Sequence, residues 1–407
     1  MSDLEVGAAV AAEPEKDAKK KKKGTGIVVS GSTDEKLTFV ERRQKNVEAA
    51  VAALAKKYGA GSIGLVSKMT YQSQPRIPSG IFILDFALGG GWARGRINLL
   101  WGNKSSSKTT TVLRAIANAQ KLDLYTNRYI FELEGADLEK AVPLKCAFID
   151  VEGTFDAEWA ASLGVDNDAL LYARPQTSEE AAEVMEILLK QGVNVIALDS
   201  IAAMVPAAEL EGGIEDYHVG VQARLMSKLF RKLQSIINTA ANEDPMSAPT
   251  IFLLNQLRNK IGVMFGSPEV KPGGVAQDFY TTIEVKLSPG KMTFYDGKEA
   301  TLPKHNEFSF KIEKNKVSPP KIQGSYCMQL VTDDDLDLKV GDIDEIKEVM
   351  KFAEKLGIYG KDEKTNKFMM YGKPFKSKGE IVDAYYLDKQ QYLLLKKDIL
   401  KRLVPKQ

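Results

Sequence analysis

Four short runs in this sequence are almost entirely apolar: RINLLW (96–101), CAFIDV (146–151), VNVIALDS (193–200) and TIFLLNQ (250–256). A strand with one wet face alternates polar and apolar residues. A continuous apolar run belongs to a strand covered on both faces. Between the runs lie stretches with helical spacing, 108–120, 178–191 and 219–241. Strands buried on both sides and separated by helices imply an α/β fold with a mostly parallel central sheet. Ligands of such sheets bind beyond the carboxyl ends of the strands. The 407 residues, 44% of them hydrophobic, suffice for one large core and a smaller appended domain.

The flanks differ in composition. Residues 1–34 surround KDAKKKKKGTG and are poor in large apolar side chains, so they are expected to form a disordered, solvated tail. In KLTFVERRQKNVEAAVAALAKKYGAGSIG, Val47, Val51 and Leu54 recur at helical spacing and Gly59 stands where the helix should stop. This gives an N-terminal helix/strand segment over 35–76, followed by the α/β core over 77–330. From 331 to 407 a small α/β C-terminal domain is expected. Its first helix is DIDEIKEVMKFAEKLG: Asp342 is placed to cap it, Ile346, Val349, Ala353 and Leu356 share a face, and Gly357 ends it. A formal net charge of +2 names no polyanionic partner, so nucleic-acid affinity must come from placement of charge. Cys146 and Cys327 fit no metal or redox spacing and are expected to be reduced. No apolar run approaches the ~20 residues of a bilayer span, and no secretory leader is recognisable. A soluble cytoplasmic protein is expected.

The strand RINLLW runs into GNKSSSKTT (102–110) and then into a helix. That is the context of a phosphate loop, G-x-x-x-x-G-K-T, with Ser107 in place of the second glycine. Backbone N–H groups of Gly102, Asn103, Lys104, Ser105, Ser106 and Ser107 and of the helix start at Thr110 are placed to cradle phosphate oxygens. Lys108 supplies the charge for the β and γ phosphates, and the Thr109 hydroxyl is a magnesium ligand. A left-handed backbone at Ser107 costs ~1–2 kcal/mol. Charge-assisted phosphate bonds at ~1.5–3 kcal/mol each outweigh it. Asp199 closes one buried strand, where it completes the magnesium shell. Glu152 follows another, where it can deprotonate a water for in-line attack.

Two further patterns concern surfaces. Arg224, Ser227 and Arg231 are spaced i, i+3, i+7 and share one helix face suited to a phosphate backbone. In FSFKIEKNKV, even positions share a strand face: Phe308, Phe310 and Ile312, continued by Lys314 and Lys316. Either the lysines stand at an exposed strand end or an anion meets them.

Longer blocks resemble the bacterial RecA-type recombinase family, including its phage-encoded members, over about 44–325. They are SGIFILDFALGGGWARGRINLLWGNKSSSKTT, FIDVEGTFDAEWAASLGVD, VIALDSIAAMVPAAELEGGIEDYHVGVQARLMSKLFRKL, LLNQLRNKIGVMFGSPEVKPGGVAQDFY and FKIEKNKVSPPK. The resemblance implies a RecA-like P-loop ATPase core that uses ATP and Mg2+. It implies that Glu152 activates the hydrolytic water, that Asp156 and Trp159 flank the adenine, and that Gln256 senses the γ-phosphate. Lys314 and Lys316 would enter the neighbouring subunit's ATP site. The first DNA loop would precede the helix of Arg224, Ser227 and Arg231. The second would carry Arg258, Asn259, Lys260, Ile261, Gly262, Met264 and Phe265 and close at Gly273 and Gly274, with Val275 where the family carries a polar amide. The implied partners are single-stranded DNA, a homologous duplex and further copies in a helical filament that the N-terminal helix helps to build, with single-strand-binding and loader proteins beside them. Two rivals remain, a hexameric helicase on the same core and a non-hydrolysing ATP-bound coat on DNA. The segment 121–145 has no counterpart in the family. The ending KKDILKRLVPKQ is basic where the family is acidic.

Overall fold

The computed structural model describes residues 38–59, 61–65, 74–212, 220–259, 269–294, 303–334 and 338–404. Chain to Leu54 and chain from Ala55 cluster as separate units. The first unit is dominated by helix α1, Phe39–Tyr58. Its start is a reciprocal cap: Thr38 N and Thr38 Oγ1 both donate to the Glu41 carboxylate at 2.8 Å, and Glu41 N donates back to Thr38 Oγ1. Gly59 at φ 100° ends it. None of its residues is buried, and Phe39, Val40 and Val47 are exposed.

The second unit is built on a nine-stranded sheet: β1 Ile97–Gly102, β2 Cys146–Asp150, β3 Leu170–Ala173, β4 Val195–Asp199, β5 Thr250–Gln256, β6 Ile283–Phe294, β7 Pro303–Asn315, β8 Gln323–Gln329 and β9 Ile343–Asp344. The spatial order is β9-β8-β7-β6-β1-β5-β4-β2-β3. The strands from β6 through β3 pair in parallel, and β6 to β9 pair antiparallel. Every residue of β1, β2 and β4 is buried, as continuous apolar runs require.

Helix α2, Lys108–Ala119, covers one face by packing Val112, Ala115 and Ile116 against Leu100, Phe148 and Phe252. Helices α3, Ser178–Lys190, and α4, Val221–Glu243, cover the other with Met185, Leu189, Leu229, Phe230 and Leu233 over Leu99, Ile149, Leu198 and Leu253. Each such side chain contributes ~1.5–3 kcal/mol by leaving water. The short helix α5, Ala276–Tyr280, precedes β6. Toward the C-terminus, α6 (Ile346–Lys355) and α7 (Lys389–Leu403) enclose a third cluster in which Val349, Ala353, Ile381 and Ile399 close over Phe82.

Two expectations are corrected. Asp342 does not cap α6. The chain is still extended at 343–344, paired with Cys327 and Met328, so the helix starts later, at Glu345, without a side-chain cap. Asp342 instead accepts from Lys339 N at 3.0 Å. Lys314 and Lys316 do not continue the apolar face of Phe308, Phe310 and Ile312. The register passes from Val285↔Ile312 to Glu284↔Lys314, leaving Glu313 as the extra residue of a bulge. The alternation inverts there, and Asn315 is the buried residue, 9% exposed.

Asp85, in the short helix Phe82–Leu88, is 4% exposed. Burial pushes its carboxyl up to about 7, with Ser79 and Lys396 opposing and Glu345 adding. The folded chain therefore holds this proton more tightly than the unfolded chain does. The corresponding stability is complete at acid pH below the unfolded value and is lost as pH rises through about 7. Melting curves across that window should fall less steeply for Asp85→Asn than for the parent. Parallel profiles would refute the assignment.

Candidate functional site

The loop after β1 follows the phosphate-loop path. Gly102 permits no side chain, since a Cβ there would stand 2.0 Å from the Leu287 carbonyl. Ser105 and Ser107 both sit in the left-handed region, at φ 54° and 62°. Lys108 is 9% exposed and folds back over the loop. Its Nζ donates to the Asn103 carbonyl at 2.7 Å and reaches the Gly102 carbonyl and Ser106 Oγ at 3.4 Å. Burial lowers its pKa, and Asp199 and Glu152 oppose that shift. Lys104 projects exposed beside it.

Thr109 Oγ1 donates to Asp199 Oδ2 at 2.6 Å. Burial pushes the Asp199 carboxyl up to about 6, with Thr109 and Lys108 opposing and Glu152 and Asp150 adding. One hydroxyl and one buried carboxylate facing each other make a donor set that fits Mg2+, which takes one or two protein oxygens and fills its shell with phosphate and water.

Glu152 lies next to this pair in space. Its Oε1 accepts from Gln256 Nε2 at 2.6 Å and from Ser200 Oγ at 2.5 Å. Residues at the ends of β1, β2, β4 and β5 thus converge, because those strands are neighbours in parallel register. Asp156 caps the helix Ala157–Ser162 by accepting from Trp159 N at 3.0 Å. Trp159 Nε1 reaches Thr110 Oγ1 at 3.3 Å, so the indole stands against the phosphate-loop helix.

Three residues here escaped the sequence reading. Ser200, one step past Asp199, holds Glu152. Asp150 accepts from Gly153 N, Phe155 N and Tyr172 Oη at 2.7–3.0 Å and so shapes the loop that carries Glu152. An acid closing an all-apolar run was its signal. Asn255 Nδ2 donates to the Pro272 carbonyl and to Gln277 Oε1, both at 2.9 Å, which ties together the two ends of the segment between them.

Of the expected DNA residues, Arg224 and Arg231 are exposed on α4. Ser227 is half-buried, and its hydroxyl is already donated to the Ala223 carbonyl at 2.8 Å. Arg258 is exposed, and Arg258–Asn259 pairs with Glu269–Val270. Lys260, Ile261, Gly262, Met264 and Phe265 lie outside the described residues. Gly273 and Gly274, at φ 90° and 80°, approach so closely that added Cβ atoms would meet Ile201 Cγ2 at 2.8 Å and Ala223 Cβ at 3.0 Å. Both serve close packing. Lys314 Nζ donates to the Asp278 carbonyl and stands 3.7 Å from Glu284, while Lys316 Nζ donates to the Phe279 carbonyl at 3.1 Å. Both lysines therefore cap the C-terminal end of α5 in the isolated chain. Val275 and Phe279 beside them are 71% and 72% exposed.

Among the described residues no helix is long and apolar enough to cross a membrane. The family model described as the RecA N-terminal domain matches residues 45–132 and 133–330. A curated protein of Mycobacterium ulcerans, strain Agy99, named Protein RecA, is 42% identical over 286 residues, which is 70% of this chain and 74% of that protein. The Protein RecA of Mycobacterium marinum matches to the same extent, and that of Nocardia farcinica is 41% identical over 286 residues. With its phosphate loop, Thr109–Asp199 pair and Glu152–Gln256 contact at the ends of adjacent parallel strands, the chain belongs to the RecA family.

Proposed function

We propose that the side chains gathered at the ends of β1, β2, β4 and β5 couple ATP hydrolysis to the gripping and release of DNA. The chain is an ATP-dependent recombinase of the RecA family; the proposal concerns which residues do what. It rests above all on the 2.6 Å contact between Gln256 and Glu152, which joins a water-activating carboxylate to the strand that leads into the second DNA loop.

Lys108 exchanges the Asn103 carbonyl for the β and γ phosphate oxygens of ATP. Thr109 and Asp199 would hold magnesium, which neutralises phosphate charge during transfer. Trp159 and Asp156 flank the adenine, the indole through stacking. Glu152 takes the proton of the attacking water. Gln256 swings between Glu152 and the γ-phosphate, and the chain after it follows. Lys314 and Lys316 leave α5 and complete a neighbour's site, as an arginine finger does. Contact of this kind, head to tail and not closing on itself, builds an open helical filament, with α1 packing on the next protomer.

Arg224 and Arg231 follow phosphates of single-stranded DNA, joined by Arg258, Asn259, Lys260 and the apolar wedge of Met264 and Phe265. A homologous duplex is then sampled by base pairing. The work is done in the cytoplasm. Replacing Lys108 by alanine should weaken ATP binding by roughly 10- to 100-fold, the worth of one or two charge-assisted bonds. It should also abolish phosphate release stimulated by single-stranded DNA. Unchanged stimulated release would overturn the reading.

A further inference from the structure

Ser107 stands where a phosphate loop of this pattern carries glycine, and it is held at φ 62°, ψ 22°. For a residue with a Cβ that region is unfavourable. Something must hold it there, and the side chain shows what does. Ser107 Oγ lies 2.6 Å from the hydroxyl of Tyr326. Tyr326 is on β8, 219 residues away, and only 6% exposed. Its hydroxyl also lies 3.2 Å from Thr111 Oγ1, and Thr111 Oγ1 donates to the Ser107 carbonyl at 2.8 Å.

Proton bookkeeping gives one arrangement that uses every contact. Thr111 spends its proton on the Ser107 carbonyl, so toward Tyr326 it accepts. Tyr326 spends its proton on Thr111, so from Ser107 it accepts. Ser107, Tyr326 and Thr111 then form a closed ring of donors that grips both the side chain and the carbonyl of residue 107. Thr111 and Tyr326 are buried and Ser107 is half-buried; away from water, satisfied networks are rigid and unsatisfied members costly. Burial also pushes the Tyr326 phenol up, which keeps its proton in place. Tyr326 is itself braced: it lies opposite Phe308 on β7, with ring centroids 5.7 Å apart.

We propose that Tyr326 is a positioning residue for the nucleotide: its hydroxyl holds Ser107 in the left-handed turn that glycine would adopt unaided, and so keeps the amides of 105–108 aimed at phosphate. The inference rests on the reading of 102–110 as the ATP loop. It also accounts for how this chain tolerates serine at 107.

The test is a two-by-two set in the full-length protein: parent, Tyr326→Phe, Ser107→Gly, and both together. Affinity is read by titrating a fluorescent ATP analogue with magnesium. Melting temperature without nucleotide is recorded in parallel. Tyr326→Phe should weaken binding about fivefold, the scale of one net hydrogen bond. In the Ser107→Gly background the same change should cost less than about twofold, because glycine needs no brace. Equal losses in both backgrounds, or no loss with Ser107 present, would overturn the proposal. A loss confined to melting temperature would overturn it as well, by making Tyr326 a packing residue only. A parent that binds no nucleotide would instead defeat the reading of the loop, and is distinguishable because all four proteins would then be silent.

Discussion

Replacing Glu152 by glutamine lowers DNA-stimulated ATP turnover by about 10²–10⁴-fold, the usual worth of a positioned general base, and leaves ATP affinity within about threefold of the parent. The separation of the two effects follows from the contacts. Glutamine keeps the length and the acceptor oxygen of glutamate, so Gln256 Nε2 and Ser200 Oγ, now on Glu152 Oε1, retain their partner. Lys108, Thr109 and Asp199, proposed above to carry the phosphates and magnesium, are untouched. Only the capacity to take a proton is removed. Under the same conditions the variant should stay on single-stranded DNA far longer once ATP is bound, because the proposed cycle makes release depend on hydrolysis. Phosphate release, nucleotide titration and DNA dissociation measured on one preparation decide the matter. A turnover loss below tenfold would remove Glu152 from the role of base. A matching loss of ATP affinity would make it a binding residue.

Much of this arrangement is legible in the sequence alone, and the reasons are local. Strands covered on both faces declare themselves as unbroken apolar runs, so β1, β2, β4 and β5 could be read directly. The phosphate loop is contiguous chemistry, and Lys108, Thr109, Asp199 and Glu152 follow from it and from strand ends. What escaped depends on distance or on single insertions. The edge strand β3 has four residues, none of them fully buried, and carries no apolar signature. Ser200 meets Glu152 across 48 residues and Tyr326 meets Ser107 across 219, and no spacing rule reaches that far. The face of Lys314 and Lys316 was misread because one extra residue, Glu313, inverts the alternation, and nothing in FSFKIEKNKV marks the bulge. Ser227 fits the arginine row by spacing, yet its hydroxyl is spent within its own helix, as serines in helices often do.

The bulge bears on the second large effect. Changing Lys314 and Lys316 together to alanine should lower DNA-stimulated turnover by about 10³-fold, the lower range for a charge supplied in trans to a transferring phosphoryl group. In the isolated chain the two ammonium groups rest on the Asp278 and Phe279 carbonyls, beside the exposed Val275 and Phe279. A bond to an exposed carbonyl is cheap to give up, whereas a phosphate offers full charge. The apolar pair beside the lysines is the kind of surface a second copy would cover. Burial lowers the Lys314 pKa while Glu284 opposes that shift, so the group gains from an added anion. The decisive measurement mixes this variant with Glu152→Gln. Each alone should be nearly inactive. In a mixed filament some seams join an intact Glu152 from one protomer to intact lysines from the next, about a quarter of them if the order is random and contacts run head to tail. Turnover should therefore recover to roughly that fraction of the parent's. If the lysines serve only their own chain's helix, every protomer in the mixture carries a defect and the activity stays at the level of the separate variants.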